Sequence, residues 1–295
     1  MLCGRLEVPS LAELRERIQS AGRGVGNKLS VREVVAHVQA LHTNKSNEGS
    51  LFQVASQFNL LEMVGPNVTP EEGVGIYEHD RTQGPACAIA AGAGTIHRNY
   101  FADVNGRVGQ SHDNQIDCLA DLGRKLANSN NRLWQMRNGY ALASRSGLIE
   151  ISNYIRSLNE AERDDLRKSL RIGIQWNTEV TLNDCGHTVS QVYCSALPVS
   201  YSQHSADLWE PFACLVLEAS YEATACAAIL NSQRTGKKKL FLTLLGGGAF
   251  GNETIWITDA IARALMLYRD WGIEVAIVSY GSSKDYVGKL EECFS

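Results

Sequence analysis

Two groups of residues in this chain have types and spacing that could do chemistry. The first lies in LTLLGGGAFGNETIW, Leu242 to Trp256, where Gly246, Gly247 and Gly248 end an apolar run and helix-like sequence follows almost at once. Glycine lets the backbone approach a ligand closely, and three in succession cost more conformational entropy than a turn requires. A loop placed between a buried strand and a helix N-terminus presents free N–H groups and the positive end of the helix dipole, which suits it to phosphates. The second group is acidic: Glu62, Glu71, Glu72, Glu78 and Asp80 fall between a first apolar strand and a segment of small residues, GPACAIAAGAGTI (84–96). Positioned carboxylates are suited to general acid–base work.

Several other chemistries are disfavoured. GxxxxGK[ST] is absent, since Asn252 and Glu253 follow Gly251. Gly246-x-Gly248-x-x-Gly251 has the letters of a dinucleotide fingerprint. That fold, however, needs the loop at its first strand, and here the next strand ends Val278-Ser279-Tyr280-Gly281 with no acid for a ribose. There is no G-x-S-x-G elbow. The eight cysteines include no C-x-x-C pair, and Cys87 sits among apolar neighbours that raise a thiol pKa. Reduced, buried thiols are expected. Cys185 and His187 could offer two metal ligands, but no second pair accompanies them, so no metal and no cofactor is expected.

The elements that must position these groups follow from periodicity. Hydrophobic residues make up 44% and charged residues 20% of 295, enough for a packed core, and the net charge of −4 is scattered. Neither a nucleic-acid nor a membrane partner is expected from that pattern. The first residues show no unbroken apolar stretch of a signal peptide, and no apolar run of about 18 residues stands out, so a cytoplasmic location is expected. Ser10-x-x-Glu13 and Ser30-x-x-Glu33 read as capping boxes of two helices, and TNKSNEGS (43–50) as a polar linker. LFQVA (51–55), RIGIQWNTEVTL (171–182), VSQVYCSALPVSY (189–201), KKLFLTLL (238–245) and IEVAIVSYG (273–281) read as strands. Residues 211–230 read as a buried helix, 115–170 as mostly helical with a strand near 132–142, and NETIWITDAIARALMLYRDWG as an amphipathic helix. The alternation predicts an α/β layered sheet.

LTLLGGGAFGN, the amphipathic helix and VAIVSYG together resemble the second ligand loop and closing elements of a macrodomain, the ADP-ribose-binding fold. The resemblance covers about 51–96 and 171–281 and implies a three-layer α/β/α mixed sheet. The N-terminal residues 1–50 would be a helical extension packed on the core, and 51–295 a macrodomain-like domain with a mostly helical insertion at about 100–170. It implies that Gly246, Gly247, Gly248, Ala249, Phe250, Gly251 and Asn252 cradle the diphosphate and distal ribose, with Phe250 beside that ribose. VASQFNLLEM (54–63) stands where the family has an Asn-Ala-Ala-Asn-like strand end, with Gln57 and Asn59 as its amides, and Gln83 and Gly84 begin the segment that would line the site.

The pattern SQFN-LEM, then TQGPACAIA-GAGTI, then a late GGGAFGN, is most similar to diverged macrodomains that act as arginine-specific ADP-ribosyl hydrolases, resembling a Legionella effector that removes ADP-ribose from ubiquitin and its eukaryotic relatives. Cleaving an arginine–ribose bond passes through an oxocarbenium-like state, which carboxylates stabilise. Asp80 is the first catalytic candidate, because it precedes the turn Thr82-Gln83-Gly84. Glu62 is second, three residues past Asn59, and Glu72 third. The alternatives are a reader of ADP-ribose without catalysis and a hydrolase of a small ADP-ribose derivative.

Overall fold

Continuous apolar runs dominate the middle of the computed structural model, which describes residues 1–20, 22 and 28–294. Seven strands form its main sheet: β1 (Arg5–Glu7), β2 (Ser30–Val35), β3 (Leu51–Ala55), β4 (Gly173–Glu179), β5 (Thr188–Cys194), β6 (Lys239–Leu242) and β7 (Glu274–Ser279). Their spatial order is β1-β4-β5-β3-β6-β7-β2. The run β5-β3-β6-β7-β2 is parallel, whereas β4 pairs antiparallel with both β5 and β1. The sheet is therefore mixed, as expected.

Strand period two assigns the two covering layers. Phe52 on β3 faces one side, where its ring stacks on His42 of the short helix Val38–Thr43, which packs on the helix Gln83–Ala90. Its neighbour Gln53 faces the other side and donates to Thr224 Oγ1 at 2.9 Å on the helix Ala206–Thr235. That long helix packs against Leu11–Ser20, Arg145–Ser157 and Thr254–Leu267. By length and composition it could cross a membrane, contrary to the expectation that no apolar segment is long enough. Its most apolar window is 83% buried within the fold, so here it is the core helix of the layer.

The clearest correction concerns residues 30–41. Ser30 and Glu33 do not cap a helix; Ser30–Val35 is β2, pairing in parallel with β7 from Ser30 opposite Glu274 to Val35 opposite Ser279. The β-branched Val31, Val34 and Val35 suit a strand. Glu33 instead accepts from Ser279 Oγ at 2.5 Å and Lys284 N–H at 2.9 Å, clamping the C-terminal segment. Residues 1–50 thus supply both outer strands of the sheet and are not a helical extension. The other start signal holds: Ser10 with Glu13 (2.7 and 3.2 Å) forms a reciprocal cap, and Asn159 with Glu162 (2.8 and 3.0 Å) forms a second one. Within 115–170, helices Ala120–Lys125, Arg145–Ser157 and Glu160–Arg167 are interrupted by a hairpin, Trp134–Arg137 with Tyr140–Ala143.

Phe52 lies between His42, with ring centroids 3.8 Å apart, and Phe241, at 4.4 Å. It is fully buried. Phe52→Ala should lower unfolding free energy by about 3–5 kcal/mol, measured by urea denaturation, and a loss below about 1 kcal/mol would show that this stack does not anchor the sheet.

Candidate active site

The carboxyl ends of β3 and β6 are adjacent, and both chains turn there to line one cleft. After β3 the chain reverses tightly. Gln57 N–H donates to Leu61 O at 2.8 Å, Asn59 Oδ1 accepts from Leu61 N–H at 3.1 Å, and Leu60 takes a left-handed φ of +67°. Gln57 Oε1 receives Met63 N–H at 2.9 Å, which sets Glu62 and Met63 at the cleft floor. Asn59 itself is buried away from the cleft, its amide donating to Gln115 Oε1 at 2.9 Å. It ties the turn to the inserted segment, a different task from holding a ligand.

Gly84 needs its missing side chain, because a Cβ there would sit 2.0 Å from Ala55 O. This lets the helix Gln83–Ala90 start directly over the end of β3. Gln83 lines the cleft but its amide is spent on that strand, donating to Gln53 O and accepting from Ala55 N–H, both at 2.9 Å.

The glycine loop closes on itself. Asn252 N–H donates to Gly246 O and Gly251 N–H to Gly248 O, both at 3.0 Å, and Asn252 Nδ2 donates to Leu197 O at 2.8 Å. Gly246 and Gly251 have φ of +76° and +68°, which disfavours any side chain. Gly247, Gly251 and Asn252 therefore shape the loop without lining the cleft, whereas Gly246, Gly248, Ala249 and Phe250 line it. Among the described residues the N–H groups of Gly248, Ala249 and Phe250 have no partner. Successive unpaired N–H groups in such a turn form a concavity for anions.

Of the acids singled out, Glu62 and Asp80 reach the cleft. Glu72 does not: it ends the turn Pro70–Glu72 on the outer surface. Glu71 is also outside, bonded to His112 N–H at 2.8 Å. Asp80 is half-buried, and its Oδ1 accepts Thr82 N–H at 2.8 Å. Glu62 is shielded from solvent, and Arg98 Nη2 bridges its two oxygens at 3.0 and 3.2 Å. Tyr77 accepts Glu62 N–H at 3.0 Å and also bonds its carboxyl. Burial pushes the Glu62 carboxyl up to about 7, against the opposing pull of Arg98 and Tyr77. The Cys87 thiol is pushed well above its ordinary value by burial, which keeps it un-ionised. Cys185 and His187 bond the main-chain carbonyls of Leu182 and His42.

The aromatic residues Tyr140 and Tyr201 complete the cleft with Phe250, and neither was foreseen from the sequence. Arg98 was missed too, although helical spacing from Cys87 through Ala91 and Thr95 sets it on the buried face. The enclosed part of the cleft amounts to about 170 Å³, and its mouth is open.

No protein-family profile matches the chain, and no curated protein matches it either. Its fold is similar to that of poly(ADP-ribose) glycohydrolase from Deinococcus radiodurans in complex with ADP-ribose. Two such crystal structures give a TM-score of 0.50 with 11% and 12% identity, covering 98% of this chain and 92% of that one. The enzyme of that name from Thermomonospora curvata, bound to the inhibitor ADP-HPD, gives 0.48 with 11% identity over 98% of this chain and 83% of that one. At such identity the likeness concerns architecture: the chain has a macrodomain-like α/β fold.

Because folding defers ionisation of the Glu62 carboxyl from its ordinary value of 4.5 to about 7, the native state binds an extra proton in that interval. Stability from this group is full below the lower value and is lost as pH rises through the upper one. Urea unfolding should accordingly show stability falling between pH 5 and 7.5, with the slope reduced in Glu62→Gln. An unchanged slope in that variant would assign the pH dependence elsewhere.

Proposed function

We propose that the cleft binds ADP-ribose and that the protein hydrolyses the glycosidic bond joining its distal ribose to a modified protein, the finer reading being mono-ADP-ribose on arginine. The observation that carries this is the pairing, in one cleft, of an unpartnered backbone nest at Gly248–Phe250 with the carboxyl groups of Asp80 and Glu62. The nest suits a diphosphate, and the carboxyls suit an oxocarbenium-like centre. Similarity of fold to a glycohydrolase solved with ADP-ribose supports the same ligand class.

In this reading Asp80 is the catalytic residue. As the ribose C1–N bond breaks, its electron pair stays on the guanidine nitrogen. A water oxygen adds to C1, Asp80 takes the water's proton, and that proton passes to the guanidine to regenerate a guanidinium ion. Glu62, held beneath by Arg98, adds negative potential below the cationic centre. Arginine-modified ubiquitin is the first protein substrate to try, on the strength of the resemblance in the sequence.

Asp80→Ala should leave ADP-ribose affinity within a few-fold while cutting turnover by roughly a hundredfold or more, the usual loss for an acid–base group. Release of ADP-ribose from arginine-, serine- and glutamate-linked substrates is the assay. Binding without release from any of them would leave a reader module.

A Cβ at Gly248 would meet open space, so Gly248→Glu should fold and yet block the nest with bulk and like charge. Calorimetry should show ADP-ribose binding abolished; normal binding would make the loop a turn and nothing more.

A further inference from the structure

Among the described residues the lining of the cleft includes the carboxylate of Asp80, with Glu62 paired to Arg98 beneath the floor, and no lysine, arginine or histidine. An anionic ligand therefore meets no cationic side chain there, and the unpaired backbone N–H groups of the glycine loop are donors set for it. Whatever sits beside Asp80 meets negative potential with no basic side chain of the lining to offset it. A phosphate placed there would be repelled, and a cation attracted.

Three rings stand at the same end. Tyr140 and Tyr201 have centroids 5.2 Å apart, Tyr140 and Phe250 5.3 Å, and Tyr201 and Phe250 5.7 Å. They come from three separate parts of the chain: the inserted hairpin, the turn Val199–Tyr201 and the glycine loop. Tyr140 is buried and its hydroxyl is committed to Met63 O at 2.7 Å. Tyr201 is the outermost ring, 39% exposed. Asp80 and the Tyr201 hydroxyl both lie close enough to the Tyr140 phenol to disfavour its ionisation, after burial itself. The rings pack too tightly on one another to admit a ligand between them, which leaves the outer face of Tyr201 for contact.

We propose that Tyr201 and Asp80 form the subsite for the leaving group, and that this subsite selects a planar cation, an arginine guanidinium. Neutral serine or glutamate linkages gain nothing from it, and the next unit of an ADP-ribose polymer brings phosphates towards the carboxylate of Asp80. A guanidinium can lie over the Tyr201 ring while its N–H edge faces the carboxylate of Asp80. The proposal rests on the hydrolase reading above and assigns Tyr201 a role in specificity, apart from the bond-breaking step.

The test compares arginine-linked and serine-linked ADP-ribosyl peptides and poly(ADP-ribose), with the wild-type protein, Tyr201→Leu and Tyr201→Phe. The wild type should favour the arginine linkage. Tyr201→Leu should raise KM for it about 3- to 30-fold, the range expected of a lost cation–ring contact. The kcat and the Kd for free ADP-ribose should stay within about twofold, and that binding also reports that the variant is folded. Tyr201→Phe, which keeps the ring, should behave as wild type. An unchanged KM in Tyr201→Leu, or an equal loss of affinity for free ADP-ribose, would overturn the proposal. Preferential cleavage of the serine linkage or the polymer would also overturn it while leaving the hydrolase reading intact. Release from no substrate at all would remove both.

Discussion

The cleft depends on one buried ion pair. Glu62 and Arg98 are both inaccessible to solvent and bonded to each other, and removing one partner of such a pair leaves an uncompensated buried charge, a cost of about 3–5 kcal/mol. Arg98 does more than neutralise. Its Nε donates to Leu60 O at 3.0 Å, fixing the left-handed residue of the turn, and its guanidinium lies 3.6 Å from the Tyr193 ring centroid and bonds the Tyr193 hydroxyl. Tyr193 donates in turn to Gln191 Oε1 at 2.5 Å, whose amide reaches Cys87 O at 3.0 Å. Strand β5, the helix Gln83–Ala90 and the turn after β3 are thus bound into one polar network under the cleft floor. Gln110 extends it to the inserted segment by donating to both Asn59 O and Arg98 O.

This explains which parts of the site were legible in the sequence and which were not. The glycine loop announces itself through local chemistry, because a backbone that must present N–H groups and adopt positive φ needs glycine at particular positions. Strand β6 is legible for a similar reason, since a strand buried on both faces must be continuously apolar, whereas β4 shows through alternation of Ile172, Ile174 and Trp176 with polar neighbours. Arg98 carries no such mark. A buried arginine looks like a surface arginine until its partner is known, and Glu62 lies far from it in sequence. The error at Ser30–Val35 has the same origin. The capping pattern is local, but pairing of six residues with β7 outweighed it, and Glu33 found its partners in the C-terminal segment.

The amides are harder to read: Gln57 and Gln83 line the cleft and Asn59 does not. Gln57, Asn59 and Gln83 are polar residues near a strand end, which sequence alone cannot tell from ligand-binding groups. In the fold their hydrogen bonds close a turn and join a helix to a strand. A buried polar group must be satisfied, and the cheapest partner is often the nearby backbone. Likewise, Glu72 differs from Asp80 only in where a short turn leaves it, outside the cleft.

The separation of charge in the site follows from these constraints. A lysine or arginine inside the cleft would hold a diphosphate, but it would also pair with Asp80 or Glu62 and quench the negative potential at the other end. Backbone N–H groups bind an anion with fixed partial charges that cannot swing across to a carboxylate. The one guanidinium that must be near, Arg98, is set beneath the floor, where it counters Glu62 from behind and is held by Leu60 O and Tyr193. The glycine loop and the buried ion pair are therefore two halves of one arrangement: unpaired N–H groups with no mobile cation beside them, and a carboxylate kept close to the cleft without a competing partner inside it.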